Sequence, residues 1–356
     1  MYPDNIYHLI VFAILLLLSL SYLLIVFVVV LRILNNYTTK QQTRFLNDWE
    51  SLIFSFLEND ESPAELISKI PKRKYKYLLN YLREFLLTLN GKDFERLASL
   101  INHTKVSDYI IKNLKSRNKN NIIFASFFAG TTKIEIAKPL LQKTIRIHNQ
   151  QIFFSSSVAL AQINAYDSLD LILHEFIKYN NFGNDYLLLI LTEFDDIICD
   201  NIMKLLTVET SPSLATTFLR VLRYYKYQDA GQTVLRMLVY SHLKEVKIEC
   251  LKFIEEIKFE KAAFAVSKLL EHKLPEIRSQ AIKTISRLNN KSFEDRIFLK
   301  LFENDYDVQY QAALAILNHY EDGEKKLSDL AYSVNKGNSA AISRMLLSEK
   351  RVRDGK

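Results

Sequence analysis

The sequence predicts an all-α protein in which one N-terminal transmembrane helix is followed by a helical connector and a superhelix of about seven stacked helix pairs. Three observations predict this class. The 356 residues include only 7 glycines and 6 prolines, too few for the many tight turns of a β-sandwich or a doubly wound fold. Residues 9–31 form an uncharged apolar run, and a repeat recurs through the C-terminal half of the chain.

Charge and cysteine content narrow the possible functions. The formal net charge of +7 is small beside 47 basic and 40 acidic residues. It suits a protein near an anionic membrane surface and is too weak to indicate nucleic-acid binding. Cys199 and Cys250 belong to no CxxC motif, so no zinc knuckle or redox pair is predicted. We therefore expect no cofactor, no metal and no nucleic-acid partner.

The apolar run from Leu9 to Leu31 predicts a membrane-spanning helix. As a helix it would extend about 34 Å, enough to cross a hydrocarbon core of about 30 Å. It is also longer than the core of a cleaved signal peptide, the main alternative. Arg32, Lys40 and Arg44 follow the run, and no lysine or arginine precedes it. The positive-inside rule therefore predicts a single-pass inner- or plasma-membrane protein with its N-terminus outside and its repeat domain in the cytoplasm.

Residues 35–118 are predicted to form a helical connector. Apolar residues recur at helical spacing over 41–58 and 74–90, and two shorter helices are expected over 92–102 and 106–116. A basic cluster lies between the first two helices and comprises Lys69, Lys72, Arg73, Lys74 and Lys76. A cluster of this kind predicts contact with anionic lipid, and the alternative is a solvated loop with acidic residues nearby.

A repeat of about 31 residues is clearest in three segments, VKIECLKFIEEI from Val246, IRSQAIKTISRL from Ile277 and VQYQAALAILNH from Val308. A small residue recurs at one position and an isoleucine at another: Cys250, Ala281 and Ala312, then Ile254, Ile285 and Ile316. The spacing continues upstream, where Ile123 and Phe127 match Phe154 and Val158. These matches predict helix pairs from about residue 120 to residue 335.

The segment from Pro275 to Ile282 resembles the first helix of a HEAT repeat, with Arg278 and Ala281 at the arginine and alanine positions of that family. The next unit keeps the small residues but has Gln309 where the arginine is usual. The resemblance implies a HEAT-like, armadillo-like α-solenoid over 119–335, with a long inner surface that binds proteins or extended peptides. Residues 1–34 then form the anchor, 35–118 the connector and 336–356 a C-terminal helix with a basic tail.

The search for chemistry finds no HExxH, glycine-rich phosphate loop or GxSxG motif, and we expect a protein that is not an enzyme. The densest group of carboxylates comprises Glu193, Asp195, Asp196 and Asp200. Two such acids can serve a hydrolase or bind a metal. Their spacing matches no calcium loop, and a solvated turn or a helix N-terminus is the alternative.

A basic and aromatic run is the candidate partner-binding site and comprises Arg220, Arg223, Tyr224, Tyr225, Lys226 and Tyr227. Tyrosine and arginine are enriched at binding hot spots, and aromatic rings can also stack on single-stranded nucleic acid. The other interpretation is that the run is simply the end of one helix and the turn after it.

The predicted function is a membrane-anchored scaffold or adaptor that binds a protein partner through the solenoid. The order of anchor, Trp49-containing helix, connector and repeats is similar to that of bacterial membrane-anchored HEAT-repeat proteins associated with glycosyltransferases. That resemblance implies support of a membrane glycosyltransferase or another envelope-synthesis complex. The alternatives are a helical-repeat enzyme of the lyase or DNA-glycosylase type and an exported solenoid receptor.

Overall fold

The structure is a computed structural model that describes residues 3–58, 62–179, 183–288, 291–333 and 337–355, except for the side chains of 3–11, 13, 31, 33–48 and 291. Within these ranges every regular element is a helix and there is no strand, which confirms the predicted all-α class. The chain divides into two compact units, Met1–Ile134 and Glu135–Lys356. The predicted domain boundaries at residues 34, 118 and 335 remain predictions.

The first unit contains six described α-helices, which follow one another with short connections. They are α1 (Pro3–Glu58), α2 (Pro63–Lys69), α3 (Tyr75–Thr88), α4 (Lys92–Asn102), α5 (Thr104–Leu114) and α6 (Lys119–Thr131). The end of α1 packs on α2 and α4 through Trp49, Ile53 and Phe56, which are buried. The guanidinium group of Arg96 on α4 lies over the ring of Phe56 at 5.1 Å from its centroid. The connector helices are therefore close to those predicted, but the helix expected over 41–58 is the end of a longer one.

The predicted transmembrane helix over Leu9–Leu31 falls within α1. Among the residues whose side chains the structure describes, no helix is both long enough and apolar enough to cross a membrane. Residues 14–30 of this run are exposed. The side chains of Leu9 and Leu31 lie outside the described residues. The prediction of a single-pass membrane protein with a cytoplasmic repeat domain is therefore wrong for the described chain.

The second unit consists of helix pairs, preceded by one helix and followed by another. Its helices are α7 (Lys138–Ile145), α8 (Gln150–Gln162), α9 (Leu169–Lys178), α10 (Asn184–Leu191), α11 (Ile198–Leu205), α12 (Pro212–Tyr224), α13 (Gly231–Tyr240), α14 (Lys244–Ile257), α15 (Ala263–Lys268), α16 (Pro275–Arg287), α17 (Glu294–Leu299), α18 (Tyr306–His319), α19 (Gly323–Ala331) and α20 (Gly337–Arg353). We call the even-numbered helices α8 to α18 the first helices of the pairs and the odd-numbered helices α9 to α19 the second helices.

The first helices lie side by side, with α12 against α14, α14 against α16 and α16 against α18. Second helices contact the first helix of the following pair, as α13 contacts α14 and α15 contacts α16. The recurring small residues and isoleucines of the three clearest repeats are fully buried: Cys250, Ala281, Ala312, Ile254, Ile285 and Ile316. Small residues let neighbouring helices approach closely, so the repeat seen in the sequence is the repeat of the core.

Upstream, the repeat has the predicted period but a register shifted by one residue. Ile123 and Phe127, which the sequence places in the core, are only half-buried. The buried positions are Ile122 and, 31 residues later, Phe153. Both helices are apolar on more than one side, so the spacing alone does not select which neighbouring residue faces inward.

Helix α6 and several of the first helices end at a non-glycine residue in the left-handed conformation. These residues are Lys133, Asn164, Lys226 and Lys258, with φ of 52°, 59°, 49° and 52°. At each one the following N–H returns to a carbonyl in the last turn, as Phe259 N donates to Ile254 O at 3.1 Å. This is the hydrogen-bond pattern of a Schellman C-cap, a position that glycine usually occupies because a side chain there is strained.

In three first helices, the side chain that follows the first apolar residue donates a hydrogen bond to the end of the preceding pair. Lys247 Nζ donates to Leu238 O at 2.7 Å, and Arg278 Nη1 donates to His272 O at 2.8 Å. Gln309, at the same position in the next unit, donates through its amide to Glu303 O. The three side chains thus cap the carbonyl end of the preceding helix, and the glutamine replaces the usual arginine in this role.

Candidate functional site on the first helices

The first helices α12, α14, α16 and α18 turn one polar face away from the buried core. On α14, the residues Glu245, Ile248, Glu249 and Lys252 follow the i, i+3, i+4, i+7 spacing of a single helix face. The corresponding positions of α16 and α18 include Lys283 and Gln311. We call this surface the first-helix face, and two grooves open onto it.

The α12–α14 groove has a volume of about 420 Å³ and is lined mainly by charged residues: Arg220, Arg223, Glu245, Glu249 and Lys252. Glu249 holds the two helices together at its floor. Its Oε2 lies 3.0 Å from Nη1 of Arg223, and its Oε1 lies 2.7 Å from Nζ of Lys252. Only 14% of the Glu249 side chain is exposed, and its Oε2 forms no hydrogen bond within the described residues, so its contact with Arg223 is an ion pair without hydrogen-bond geometry.

The α14–α18 groove is smaller, about 210 Å³, and is bordered by Glu255, Lys283, Arg287, Gln311, Asn318 and His319. The Glu255 carboxylate accepts a hydrogen bond from Gln280 Nε2 at 2.9 Å and lies 3.7 Å from Nε of Arg287. Burial raises the pKa of Glu255 above its ordinary value, although Arg287 and Lys283 oppose that rise. Burial also lowers the pKa of His319, and the charge of Arg287 lowers it further.

Ion pairs join successive helices along the first-helix face. Arg220 Nη1 on α12 lies 2.8 Å from Asp185 Oδ1 on α10. Lys244 Nζ on α14 lies 3.0 Å from Glu276 Oε1 on α16. In each of these pairs, and in the pair between Arg223 and Glu249, the two residues lie about one repeat apart in sequence. The face is therefore both highly charged and held in a defined arrangement.

The structure distributes the residues of the predicted partner-binding run between two roles. Arg220 and Arg223 line the α12–α14 groove. The hydroxyl group of Tyr225 instead donates to the carbonyl groups of Thr192 and Phe194, at 3.0 and 2.6 Å.

The remaining residues of the run lie at the end of α12 and in the turn that follows it. Tyr227 bonds Asp200, and Lys226 Nζ lies 2.8 Å from Glu256 Oε1. Tyr224 is 63% exposed and packs edge-on against Tyr225. The run is thus the helix end and turn of the alternative interpretation, and partner binding by it stays a prediction.

The tyrosine hydroxyls in these links are held in their protonated form. Burial raises the pKa of Tyr225 to about 12. The hydrogen bond to Asp200, followed by burial, raises the pKa of Tyr227 to about 12. A phenol that donates to a carbonyl or carboxylate loses this bond when it ionises, so both residues act as structural donors at neutral pH.

The carboxylates from Glu193 to Asp200 also serve as acceptors between neighbouring pairs. Gln162 Nε2 donates to Glu193 Oε2 and Asn164 Nδ2 donates to Asp195 Oδ2, each at 2.9 Å. Tyr166 donates to Asp195 as well, and burial together with this bond raises its pKa. These contacts favour a structural turn over a catalytic acid pair. Within the described chain, no group of three histidine, cysteine, aspartate or glutamate residues is placed to hold a metal ion.

The basic cluster of the first unit lies at the end of α2, in the turn after it and at the start of α3. Lys69, Lys72, Arg73 and Lys76 are exposed, and Lys74 is half-buried with its Nζ 5.3 Å from the centroid of the Tyr77 ring. The cluster therefore forms one exposed basic segment. Contact with anionic lipid stays a prediction.

The residues that border the α14–α18 groove were not predicted as a site. Their signal is present in the repeat, because the groove positions recur at the same spacing as the core positions. Lys252, Lys283 and Leu314 occupy one such position, and Glu256, Arg287 and Asn318 occupy another. A search for repeated polar positions on the side opposite Cys250 and its equivalents would have found them.

Comparisons with known proteins give no family for this chain. No protein-family model matches the sequence, and no curated protein matches it. Among solved structures, a crystal structure of Kap121p is 14% identical over 78% of this chain, with a TM-score of 0.40. The chain spans 41% of the length of Kap121p. A crystal structure of an engineered protein is 15% identical over 86% of this chain and 97% of its own, with a TM-score of 0.37.

At these scores the matches carry no argument about fold or function, and the helical-repeat architecture rests on the helix pairs themselves. The association with glycosyltransferases rested on a layout that included the transmembrane helix. Neither the structure nor the comparisons support it.

Proposed function

We propose that the chain is a helical-repeat scaffold that binds a protein partner through the first-helix face of α12, α14, α16 and α18. The observation that carries this proposal is the row of first helices, which places two open grooves and a series of ion pairs on one side of the second unit. Stacked helical repeats build extended surfaces of this kind, and such surfaces suit extended partners.

The character of the grooves favours a protein partner over a small molecule. Small-molecule sites are concave and mostly apolar, with a few polar groups that fix the orientation of the ligand. The α12–α14 groove is instead lined by five charged side chains with one isoleucine and one threonine. Arginine is enriched at protein interfaces and among binding hot spots, and Arg220 and Arg223 both line this groove.

Site-specific photo-crosslinking in cells tests the proposal. A photoreactive phenylalanine analogue replaces Ile248, which lines the α12–α14 groove and is half-buried. The matched control places the same analogue at Phe264 on α15, a second helix, where the native ring is 68% exposed. We expect one protein to be crosslinked from position 248 and absent from the crosslinks of position 264.

A charge-reversal variant completes the test. The Arg223→Glu variant reverses one charge of the α12–α14 groove and should reduce the crosslink from position 248 to that protein. Crosslinks that arise equally from both positions, or that persist unchanged in Arg223→Glu, would overturn the proposal. Circular dichroism of each variant establishes that its helix content is retained.

A further inference from the structure

The α14–α18 groove carries an excess of positive charge. Lys283 and Arg287 lie four residues apart on one face of α16, and both are exposed. Their counter-charge within the groove is Glu255, whose nearest carboxylate oxygen is 3.7 Å from Nε of Arg287. Within the described residues Lys283 forms no ion pair. The groove therefore has two cations for one carboxylate, and 63% of the Arg287 side chain is exposed.

The opposite wall of the groove is uncharged and carries two amide side chains beside Leu314 and Ala315. Gln311 and Asn318 line it from α18, and neither side-chain amide is hydrogen-bonded to another described residue. They are seven residues apart, which is about 10.5 Å along a helix and matches roughly three residues of an extended peptide. His319 adds no charge at neutral pH, because burial and Arg287 keep the imidazole unprotonated. Charge and hydrogen-bonding capacity thus lie on opposite sides of the same groove.

We infer that the α14–α18 groove binds an extended acidic segment of a protein partner, with a carboxylate of that segment between Lys283 and Arg287. This inference rests on the proposed function and names the chemistry of the partner. An arginine recognises a carboxylate through two parallel hydrogen bonds, and a nearby lysine adds a point charge. The amides of Gln311 and Asn318 can each donate to and accept from the backbone of an extended chain.

A polyanion with evenly spaced phosphates fits the same groove less well. Glu255 lies on its floor and would repel a phosphate placed beside Arg287, whereas a peptide can place a neutral residue there. An acidic peptide can place a single carboxylate at this position, whereas a nucleic acid carries a phosphate on every nucleotide. The expected occupant is therefore a peptide in which acidic and neutral residues alternate.

Fluorescence anisotropy with the full-length chain tests the inference. The probe is a fluorescein-labelled peptide of about twelve residues in which glutamate alternates with serine, and the comparison peptide has glutamine in place of glutamate. We expect the glutamate peptide to bind at least about tenfold more tightly than the glutamine peptide. We expect Lys283→Glu with Arg287→Glu to weaken its binding by at least about tenfold.

The matched control reverses two exposed lysines away from the groove, Lys261→Glu in the turn before α15 with Lys325→Glu on α19, and so changes the net charge equally. Its affinity should stay within about twofold of the native chain. If the glutamate pair reduces helix content, Lys283→Gln with Arg287→Gln replaces it.

Two results would overturn the inference: equal loss of binding in both double variants, or equally tight binding of a single-stranded oligonucleotide of the same charge. A crosslink from position 248 that persists while the glutamate peptide fails to bind would refute the acidic segment and leave the proposed function standing.

Discussion

Replacement of Arg278 by alanine should destabilise the repeat array more than replacement of Gln309, the equivalent residue of the next unit, by alanine. The Arg278 guanidinium lies at the junction of two helix pairs and is only 16% exposed. Its Nε and Nη2 lie 2.9 and 2.8 Å from Glu303 Oε2, and its Nη1 donates to the carbonyl groups of His272 and Lys273 at 2.8 and 3.2 Å. Arg278→Ala removes all of these contacts at once.

The expected loss in free energy of unfolding depends on which contacts the partners of Arg278 keep in the variant. A hydrogen bond to a charged group contributes about 1.5–3 kcal/mol, and removal of one member of a buried ion pair costs about 3–5 kcal/mol. Glu303 keeps the ammonium group of Lys300, whose Nζ is 2.8 Å from Glu303 Oε1, so its carboxylate is not left without a cation. We therefore expect Arg278→Ala to lower the free energy of unfolding by about 2–3 kcal/mol.

Gln309 gives the matched comparison, because it caps the preceding pair with one neutral amide bond and no ion pair. Its Oε1 is also buried without a hydrogen-bond partner among the described residues, which offsets part of what the amide contributes. Gln309→Ala should therefore cost only about 1 kcal/mol. Arg278→Gln, which gives this unit the capping residue of the next, should fall between the two alanine variants.

Urea denaturation followed by far-ultraviolet circular dichroism measures these differences at neutral pH. The reasoning requires the order Arg278→Ala, Arg278→Gln, Gln309→Ala from most to least destabilised. Equal losses for the two alanine variants would show that the ion pair with Glu303 contributes nothing beyond the carbonyl caps. A loss below about 0.5 kcal/mol for Arg278→Ala would place it among ordinary surface substitutions and refute the junction role.

Three further predictions concern the helix ends and the tyrosine links. Lys258→Gly should raise the free energy of unfolding by about 0.5–1 kcal/mol in urea denaturation, because glycine removes the strain of φ 52°, whereas Lys325→Gly near the start of α19 should lower it. Destabilisation by Lys258→Gly would contradict the strained cap. Tyr225→Phe removes the donor to two carbonyl groups and should lower the melting temperature by an amount corresponding to about 1–2 kcal/mol, while Tyr224→Phe, exposed and without such a bond, should leave it unchanged. Above pH 10 the unfolded tyrosines lose protons that the folded ones retain. The free energy of unfolding should therefore fall between pH 10 and about 12, and fall less steeply in the Tyr225→Phe and Tyr227→Phe variants. A stability that is flat or rising over that range, measured by urea denaturation at each pH, would exclude the linkage.

The sequence predicts the helical class and the core of the last three repeats well, because burial there depends on residue type at a fixed spacing. Cys250, Ala281 and Ala312 recur at the 31-residue spacing and are fully buried, as are the isoleucines four residues after each of them. The upstream register is less determined, since α6 and α8 carry apolar residues on several sides and Ile122 and Ile123 are equally plausible core residues.

Side-chain roles at the candidate site were harder to predict, because they depend on partners about one repeat away. The arginines and tyrosines of the run from Arg220 to Tyr227 have the composition of a binding hot spot, yet Tyr225 and Tyr227 are used by neighbouring turns. The pairing of Glu255 with Gln280 and Arg287 becomes visible only when the helices are stacked. Composition alone does not distinguish a donor used inside the fold from one left for a partner.

The links between helix pairs in the second unit have a consequence for how the chain folds. Gln162 and Glu193 are 31 residues apart, Lys244 and Glu276 are 32 apart, and the bond from Ser339 to the carbonyl group of Leu301 spans 38. Each link closes a loop of about one repeat, and the entropy lost in closing a loop grows only slowly with its length. Such short-range closure gives a low contact order, which favours rapid folding. Folding can therefore begin at any pair and extend to its neighbours in either direction. A substitution that disrupts one junction would then prevent folding from extending past that junction.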